Sequence, residues 1–126
     1  MIEFETMERS EFEKLVRQAL QQLPEKIRQQ MDNVDLIVEE TMTNNQLAYS
    51  AIEDGKSLLG LYEGIPLTER DDYGMVLPDK ISIFQDSIEA VCTTNEEIVQ
   101  EVLDTVIHEV AHHFGINDEA LDNMGT

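Results

Sequence analysis

The sequence is poor in cysteine and in basic residues. It contains one cysteine, Cys92, no tryptophan, and only 8 lysines and arginines against 27 aspartates and glutamates. A single cysteine cannot form an internal disulfide or a cysteine-rich zinc cluster, so stability must come from packing or from a ligand. The formal net charge of -19 has the wrong sign for binding a phosphate backbone or an anionic membrane surface. We therefore expect neither nucleic acid nor membrane as a partner.

Long hydrophobic runs are also missing. No stretch of about 18 consecutive apolar residues occurs, and the N-terminus lacks the basic start and apolar run of a secretory signal. Together with the lone cysteine, these absences predict a cytoplasmic protein. The hydrophobic share of 41% and the charged share of 28% are ordinary for a globular chain. The length of 126 residues predicts a single domain over residues 1–126.

The first clear pattern along the chain is that of an amphipathic helix. Ser10 and Glu13 have the spacing of a capping box, which would begin the helix. Apolar residues then recur at helical spacing as far as Pro24, which would end it.

Short strand patterns follow in the middle of the chain. The predicted strands are Val34 to Glu39, Leu58 to Tyr62 and Lys80 to Gln85, with a loop over residues 41–57. In the last strand the alternation puts apolar side chains on both faces. Because helices and strands do not alternate regularly, we predict an α+β fold with a small mixed or antiparallel sheet, and not a doubly wound parallel sheet.

A second amphipathic helix is predicted near the C-terminus. Thr94 and Glu97 have the spacing of a capping box, and the helical pattern continues to Phe114, with Gly115 as its C-cap. On a helical wheel the apolar stripe, which includes Phe114, lies on a different side from His108. The flank of that stripe is where a cleft between helix and sheet can form.

All three histidines of the chain lie in one six-residue stretch of this predicted helix. His108 and His112 enclose Glu109 in the HExxH pattern, which is typical of a zinc site on a helix. At about 100° per residue, His112 lies about 40° from His108, so that one ion can bind both imidazoles. Glu109 lies about 100° from His108, beside the pair, where a carboxylate can reach a water on the metal. The pattern predicts a zinc site with Glu109 as general base.

A catalytic zinc site normally takes three protein ligands and leaves the fourth position for water. Asp118 follows ten positions after His108, beyond a glycine that can turn the chain back toward its own helix. Glu119 and Asp122 are alternatives for the same role. We predict Asp118 as the third ligand, with its two acidic neighbours left open.

Other polar residues have two interpretations each. Tyr62, Tyr73 and Arg70 are candidates for stabilising the oxyanion that forms when water attacks a carbonyl, and each also fits a structural role. His113 lies about 100° beyond His112, and we interpret it as a C-terminal helix residue favoured by the helix dipole, not as a ligand.

The segment HEVAHHFGINDE resembles the extended HExxHxxGxxH signature of metzincin proteases, with Asp118 in place of the last histidine. The segments LLGLYEGIPLTER, LPDKISIF and HHFGINDEALDNMG together resemble the small bacterial zincin-like metallopeptidases called minimal zincins. The resemblance implies a minimal zincin-like fold in which the sheet packs against the N-terminal helix and the HExxH helix. It also implies zinc held by His108, His112 and Asp118, with Glu109 as catalytic base. LLGLYEGIP would be an edge strand able to pair with an extended peptide, or simply a core strand and turn.

We therefore predict a zinc metallopeptidase that cleaves peptide or protein substrates, as a monomer or weak dimer. The alternative is an interaction module in which zinc fastens the last helix to the tail and no physiological substrate is cut. A structural zinc site of that kind would be closed by a fourth protein ligand, and loss of the metal would unfold the chain.

Overall fold

The described part of the chain begins and ends with a helix, and short strands and further helices lie between the two. The computed structural model of the protein describes residues 7–53, 59–64 and 78–115. The elements are α1 (Arg9–Leu20), α2 (Glu25–Gln30), β1 (Val34–Glu39), α3 (Asn44–Glu53), β2 (Gly60–Glu63), β3 (Asp79–Phe84), α4 (Gln85–Ala90) and α5 (Asn95–His113). No helix in these ranges is long and apolar enough to cross a membrane.

Within the described ranges the strands form one mixed sheet in the order β1-β3-β2. β1 pairs with β3 in parallel, with Leu36 opposite Ile81. β2 pairs with the other side of β3 in the antiparallel sense, with Tyr62 opposite Ile81. β3 is therefore central and β2 is an edge strand of the described sheet. This arrangement confirms the predicted α+β class with a small mixed sheet.

The central strand β3 is buried on both faces. Ile81 and Ile83 are fully buried and belong to the core cluster under α1 and α5, whereas Ser82 and Phe84, also fully buried, alternate with them. The prediction that apolar side chains lie on both faces of this strand is confirmed, and both faces are buried. The remaining members of the core come mainly from one face each of α1 and α5: Phe12, Leu15, Val16, Ala19, Ile98, Val99, Val102, Val106, Ile107, Val110 and Ala111.

The ends of α5 match the sequence prediction closely. The hydroxyl of Thr94 accepts a 3.1 Å hydrogen bond from the backbone N–H of Glu97. The carboxylate of Glu97 accepts a 2.6 Å hydrogen bond from the backbone N–H of Thr93, which lowers the pKa of Glu97. Gly115 follows the helix with φ of 71°, the left-handed conformation expected there. Phe114 departs from the prediction because it is 41% exposed at the helix end and lies outside the buried stripe.

The predicted capping box at the start of α1 is wrong. The N-cap is Glu8, which makes no side-chain cap, and its carbonyl accepts a 3.0 Å hydrogen bond from the backbone N–H of Phe12. Ser10 therefore lies inside the helix. The helix also ends earlier than predicted, at Leu20, whose carbonyl accepts a hydrogen bond from Nη2 of Arg28. This long side chain from α2 satisfies carbonyls that a longer helix would have used itself.

The predicted loop over residues 41–57 is wrong for its central part, because Asn44–Glu53 forms α3. Its first turn is capped reciprocally. The backbone N–H of Gln46 donates to the hydroxyl of Thr43 at 3.1 Å, and the backbone N–H of Thr43 donates to Oε1 of Gln46 at 2.9 Å. These reciprocal bonds form a capping box. The sequence contains this signal, but the turn-forming residues around it favoured a loop.

The last predicted strand is one residue too long, because Gln85 begins α4. Its side-chain amide donates to Oε2 of Glu89 at 2.7 Å and to the carbonyl of Met7 at 2.6 Å. One bond lies within a helical turn and the other reaches a distant segment, and together they satisfy the buried amide of Gln85. The strand pattern in the sequence indicates neither bond. The sequence pattern likewise does not predict the short helix α2.

Candidate metal centre

The two histidines of the HExxH motif lie on successive turns of α5, and both are exposed. Nδ1 of His108 lies 2.8 Å from the backbone carbonyl oxygen of Asp104. A carbonyl can only accept a hydrogen bond, so Nδ1 donates, and the lone pair of the neutral ring lies on Nε2. Histidines that bind a metal through Nε2 are commonly held in this way by a carbonyl on the other nitrogen.

Glu109 connects the motif to the edge of the sheet. Its Oε1 accepts a 2.9 Å hydrogen bond from the backbone N–H of Tyr62 in β2. Alternate residues of an antiparallel edge strand direct their backbone groups away from the neighbouring strand, and Tyr62 is one of them. The half-buried carboxylate is therefore held against the edge strand.

Aromatic rings hold the C-terminal end of α5 against β2. The rings of Tyr62 and His113 stack with centroids 3.9 Å apart and planes 20° apart. Phe114 meets His113 edge-on at 4.8 Å. The hydroxyl of Tyr62 donates a 2.6 Å hydrogen bond to Oδ2 of Asp79, and Nε2 of His113 lies 3.9 Å from the same oxygen. These contacts orient the last turn of the helix, which carries His112.

His113 and Asp79 have roles that sequence reasoning missed. The sequence indicates only that a third histidine follows the motif, and it contains no signal that joins Asp79 to the helix. Tyr62 is 4% exposed with its hydroxyl bound to Asp79, which favours the structural alternative over an oxyanion donor for its side chain.

The other predicted site residues lie outside the described residues: Asp118, Glu119, Asp122, Arg70 and Tyr73. Within residues 7–53, 59–64 and 78–115, no three histidine, cysteine or acidic side chains gather into a metal-binding group. The described part of the chain thus provides two exposed imidazoles and one adjacent carboxylate, and the prediction of Asp118 as third ligand stays a prediction.

A cleft of about 310 Å³ lies beside the motif, between α5 and the start of β2. We call it the α5–β2 cleft, and its lining consists of Leu59, Gly60, Glu101, Asp104, Thr105, His108 and Glu109. The helix passes very close to the strand here. A Cβ atom added at Gly60 would lie 2.6 Å from Cγ2 of Thr105, so this approach requires glycine.

Comparison with known proteins is consistent with the motif and the fold. A family described as zincin-like metallopeptidase matches residues 31–126, which include the sheet and the HExxH helix, and this confirms the resemblance noted in the sequence. A search of curated proteins finds no match. Among solved structures, a conserved hypothetical protein from Thermus thermophilus is similar with a TM-score of 0.50 and 23% identity. The similarity covers 90% of this chain and 96% of that chain, and it shows a shared fold.

Proposed function

The chain belongs to the zincin-like metallopeptidase family, and on that premise we propose that it is a zinc-dependent peptidase that hydrolyses peptide or protein substrates. The observation that carries the proposal is the hydrogen bond between Glu109 and the edge strand. It holds the glutamate of the HExxH motif against the strand on which a peptide would lie.

The donor set fits zinc. His108 and His112 would hold the ion through imidazole nitrogens, a ligand type that zinc prefers. Nδ1 of His108 is occupied by a backbone carbonyl, which favours Nε2 as the ligating atom. Asp118 is the expected third ligand. A bound zinc ion would supply Lewis acidity, which activates water and polarises the carbonyl of the substrate.

Glu109 acts as the general base in this proposal. Its carboxylate takes a proton from the attacking water and then delivers that proton to the amine that leaves. The hydrogen bond from Tyr62 fixes Oε1 and so limits the positions that the carboxylate can adopt. Fixed geometry matters because a proton can be transferred only across hydrogen-bond distances.

β2 orients the substrate. It is the edge strand next to Glu109. Successive residues of a strand direct their backbone N–H and C=O groups to opposite sides, so Gly60 directs its groups outward, as Tyr62 does. An extended peptide can add to such an edge through main-chain hydrogen bonds, which bind many sequences alike. This binding mode places the scissile bond beside the HExxH helix.

The test compares the wild-type protein with Glu109→Gln, His108→Ala and His112→Ala. The measurements are zinc stoichiometry and hydrolysis of an unstructured peptide mixture, with and without chelator. We expect hydrolysis by the wild type to stop with chelator and to return with zinc. Glutamine keeps an oxygen that can accept from Tyr62, so Glu109→Gln should fold and bind zinc but lose hydrolysis. Either alanine variant should lose both zinc and hydrolysis.

Glu96→Gln is the matched control, because Glu96 is an exposed acid in the first turn of the same helix. It should behave like the wild type. Normal turnover in Glu109→Gln would rule out the proposed base. A protein that binds zinc, unfolds when the zinc is removed and cuts no peptide would instead be the zinc-stabilised interaction module.

A further inference from the structure

The α5–β2 cleft is acidic beyond the residues that the proposed reaction uses. Asp104 and Glu101 line it one and two turns before His108, about 6 Å and about 10 Å along the helix axis. The described residues that line the cleft include no lysine or arginine. The amide of Gln100 donates a 2.9 Å hydrogen bond to Oδ1 of Asp104, which orients this carboxylate without neutralising its charge.

A buried hydroxyl lies among these carboxylates. Thr105 lines the cleft between Glu101 and Glu109 on the same face of α5, and it is only 9% exposed. Among the described residues, its side chain makes no hydrogen bond. Buried hydroxyl groups are normally hydrogen-bonded, so a donor that enters the cleft would give this one a partner.

We propose that the α5–β2 cleft is a subsite for a cationic side chain, lysine or arginine, of the substrate peptide. The inference rests on the proposed function and names the substrate class. Lysine and arginine side chains only donate hydrogen bonds, and the lining offers acceptors at Glu101, Asp104 and the Thr105 hydroxyl. Hydrogen bonds between such cations and carboxylates are stronger than those between neutral groups.

The position of the cleft suits a side chain of a strand-bound peptide. Gly60 lies both on the edge strand and in the lining of the cleft. A peptide paired with that edge directs alternate side chains to either face, and a long one beside Gly60 can follow α5 toward Asp104 and Glu101. The net charge of -19 also attracts basic peptides and repels acidic ones.

The test uses otherwise identical unstructured peptides with a single arginine, citrulline or glutamate. Citrulline has the shape of arginine without its charge. Binding is measured by calorimetry on the zinc-loaded Glu109→Gln variant, which should leave the peptides intact. We expect the arginine peptide to bind about tenfold more tightly than the citrulline peptide, equivalent to about 1.4 kcal/mol. The glutamate peptide should bind most weakly.

Adding Glu101→Gln and Asp104→Asn should remove the preference for arginine, because it weakens arginine binding much more than citrulline binding. His108 stays in place in this variant because it bonds the backbone of Asp104 and not the side chain. Adding Glu96→Gln instead removes a negative charge from an exposed position outside the cleft and should keep the preference. Since charge interactions are screened, the preference should also decrease as salt is added.

The subsite and the proposed function can fail separately. Equal binding of the arginine and citrulline peptides overturns the subsite, even if the wild type cleaves both. The subsite is also overturned if Glu96→Gln reduces the preference for arginine as much as the double substitution does. If the preference depends on Glu101 and Asp104 but the zinc-loaded wild type cuts no peptide, the cationic subsite stands and the peptidase proposal fails.

Discussion

Gly60 of β2 and Thr105 of α5 face each other where the edge strand meets the HExxH helix. A Cβ atom at position 60 would lie 2.6 Å from Cγ2 of Thr105 and 3.0 Å from the backbone oxygen of Ser82. Neither neighbour can move easily, because threonine is β-branched and Ser82 belongs to the central strand. The short distance between helix and strand therefore depends on the missing side chain of Gly60.

We expect Gly60→Ala to destabilise the protein by about 2 kcal/mol, the usual cost of extra atoms in a tightly packed site. Urea unfolding measures this change. Gly115→Ala is a useful comparison, because no described residue lies within 4 Å of its added Cβ and its φ is +71°. That variant should lose only about 1 kcal/mol, through backbone strain. If Gly60→Ala proved as stable as the wild type, the close contact would be contradicted.

Tyr62→Phe separates the side chain of Tyr62 from its backbone. The variant loses the 2.6 Å hydrogen bond to Asp79 but keeps the N–H that binds Glu109. Because Asp79 is buried, we expect unfolding to become easier by about 2 kcal/mol. The kcat for peptide hydrolysis should change little. A large fall in kcat with unchanged stability would show instead that the phenol takes part in the reaction.

The side-chain amide of Gln46 binds two carboxylates on the face of the sheet that carries Ser82. Its buried amide nitrogen donates to Glu39 at 3.0 Å and to Glu63 at 3.1 Å. Gln46→Glu replaces this donor by a third negative charge, and we expect a loss of about 3 kcal/mol at neutral pH.

Gln29→Glu is the matched control for this substitution. Gln29 also donates to a carboxylate, that of Glu25, but the pair is exposed on α2. Like charges one turn apart on an exposed helix cost only about 0.5 kcal/mol. Thermal unfolding of the two variants side by side would reveal the difference, and equal losses would count against the buried role of Gln46.

Cys92 should be a poorly reactive thiol. Partial burial, followed by the charges of Glu101 and Glu97, raises the pKa of the Cys92 thiol above its usual value. The folded state thus holds the thiol proton more tightly than the unfolded state. The contribution of Cys92 to the free energy of unfolding is complete below the pKa of the thiol in the unfolded state. It is lost as the pH rises through the pKa of the thiol in the folded state.

Rates of alkylation by iodoacetamide across pH would measure this shift. The midpoint for the native protein should lie above that for the urea-unfolded protein, since only the thiolate reacts. Glu101→Gln should move the native midpoint part of the way down, because it removes one of the negative charges. A native midpoint at or below the unfolded one would be incompatible with this environment.

The parts of the fold that could be predicted from the sequence are local. The cap at Thr94, the left-handed Gly115 and the alternation along β3 all follow from residues within a few positions of one another. Two of the wrong predictions concern elements whose ends depend on other segments. Arg28 from α2 satisfies the end of α1, and the carbonyl of Met7 binds Gln85 at the start of α4.

The sequence by itself determined the candidate chemistry, because the period of a helix brings two histidines and a glutamate to adjacent positions whatever surrounds them. Only the tertiary structure decided what the glutamate contacts. Tyr62 lies 47 positions before Glu109, and their hydrogen bond exists because β2 pairs with β3 and α5 packs against β2. The same packing formed the acidic cleft, since Gly60 and Thr105 meet only once strand and helix are assembled. Periodicity acts within one element, whereas contacts between elements depend on the packing of the whole core.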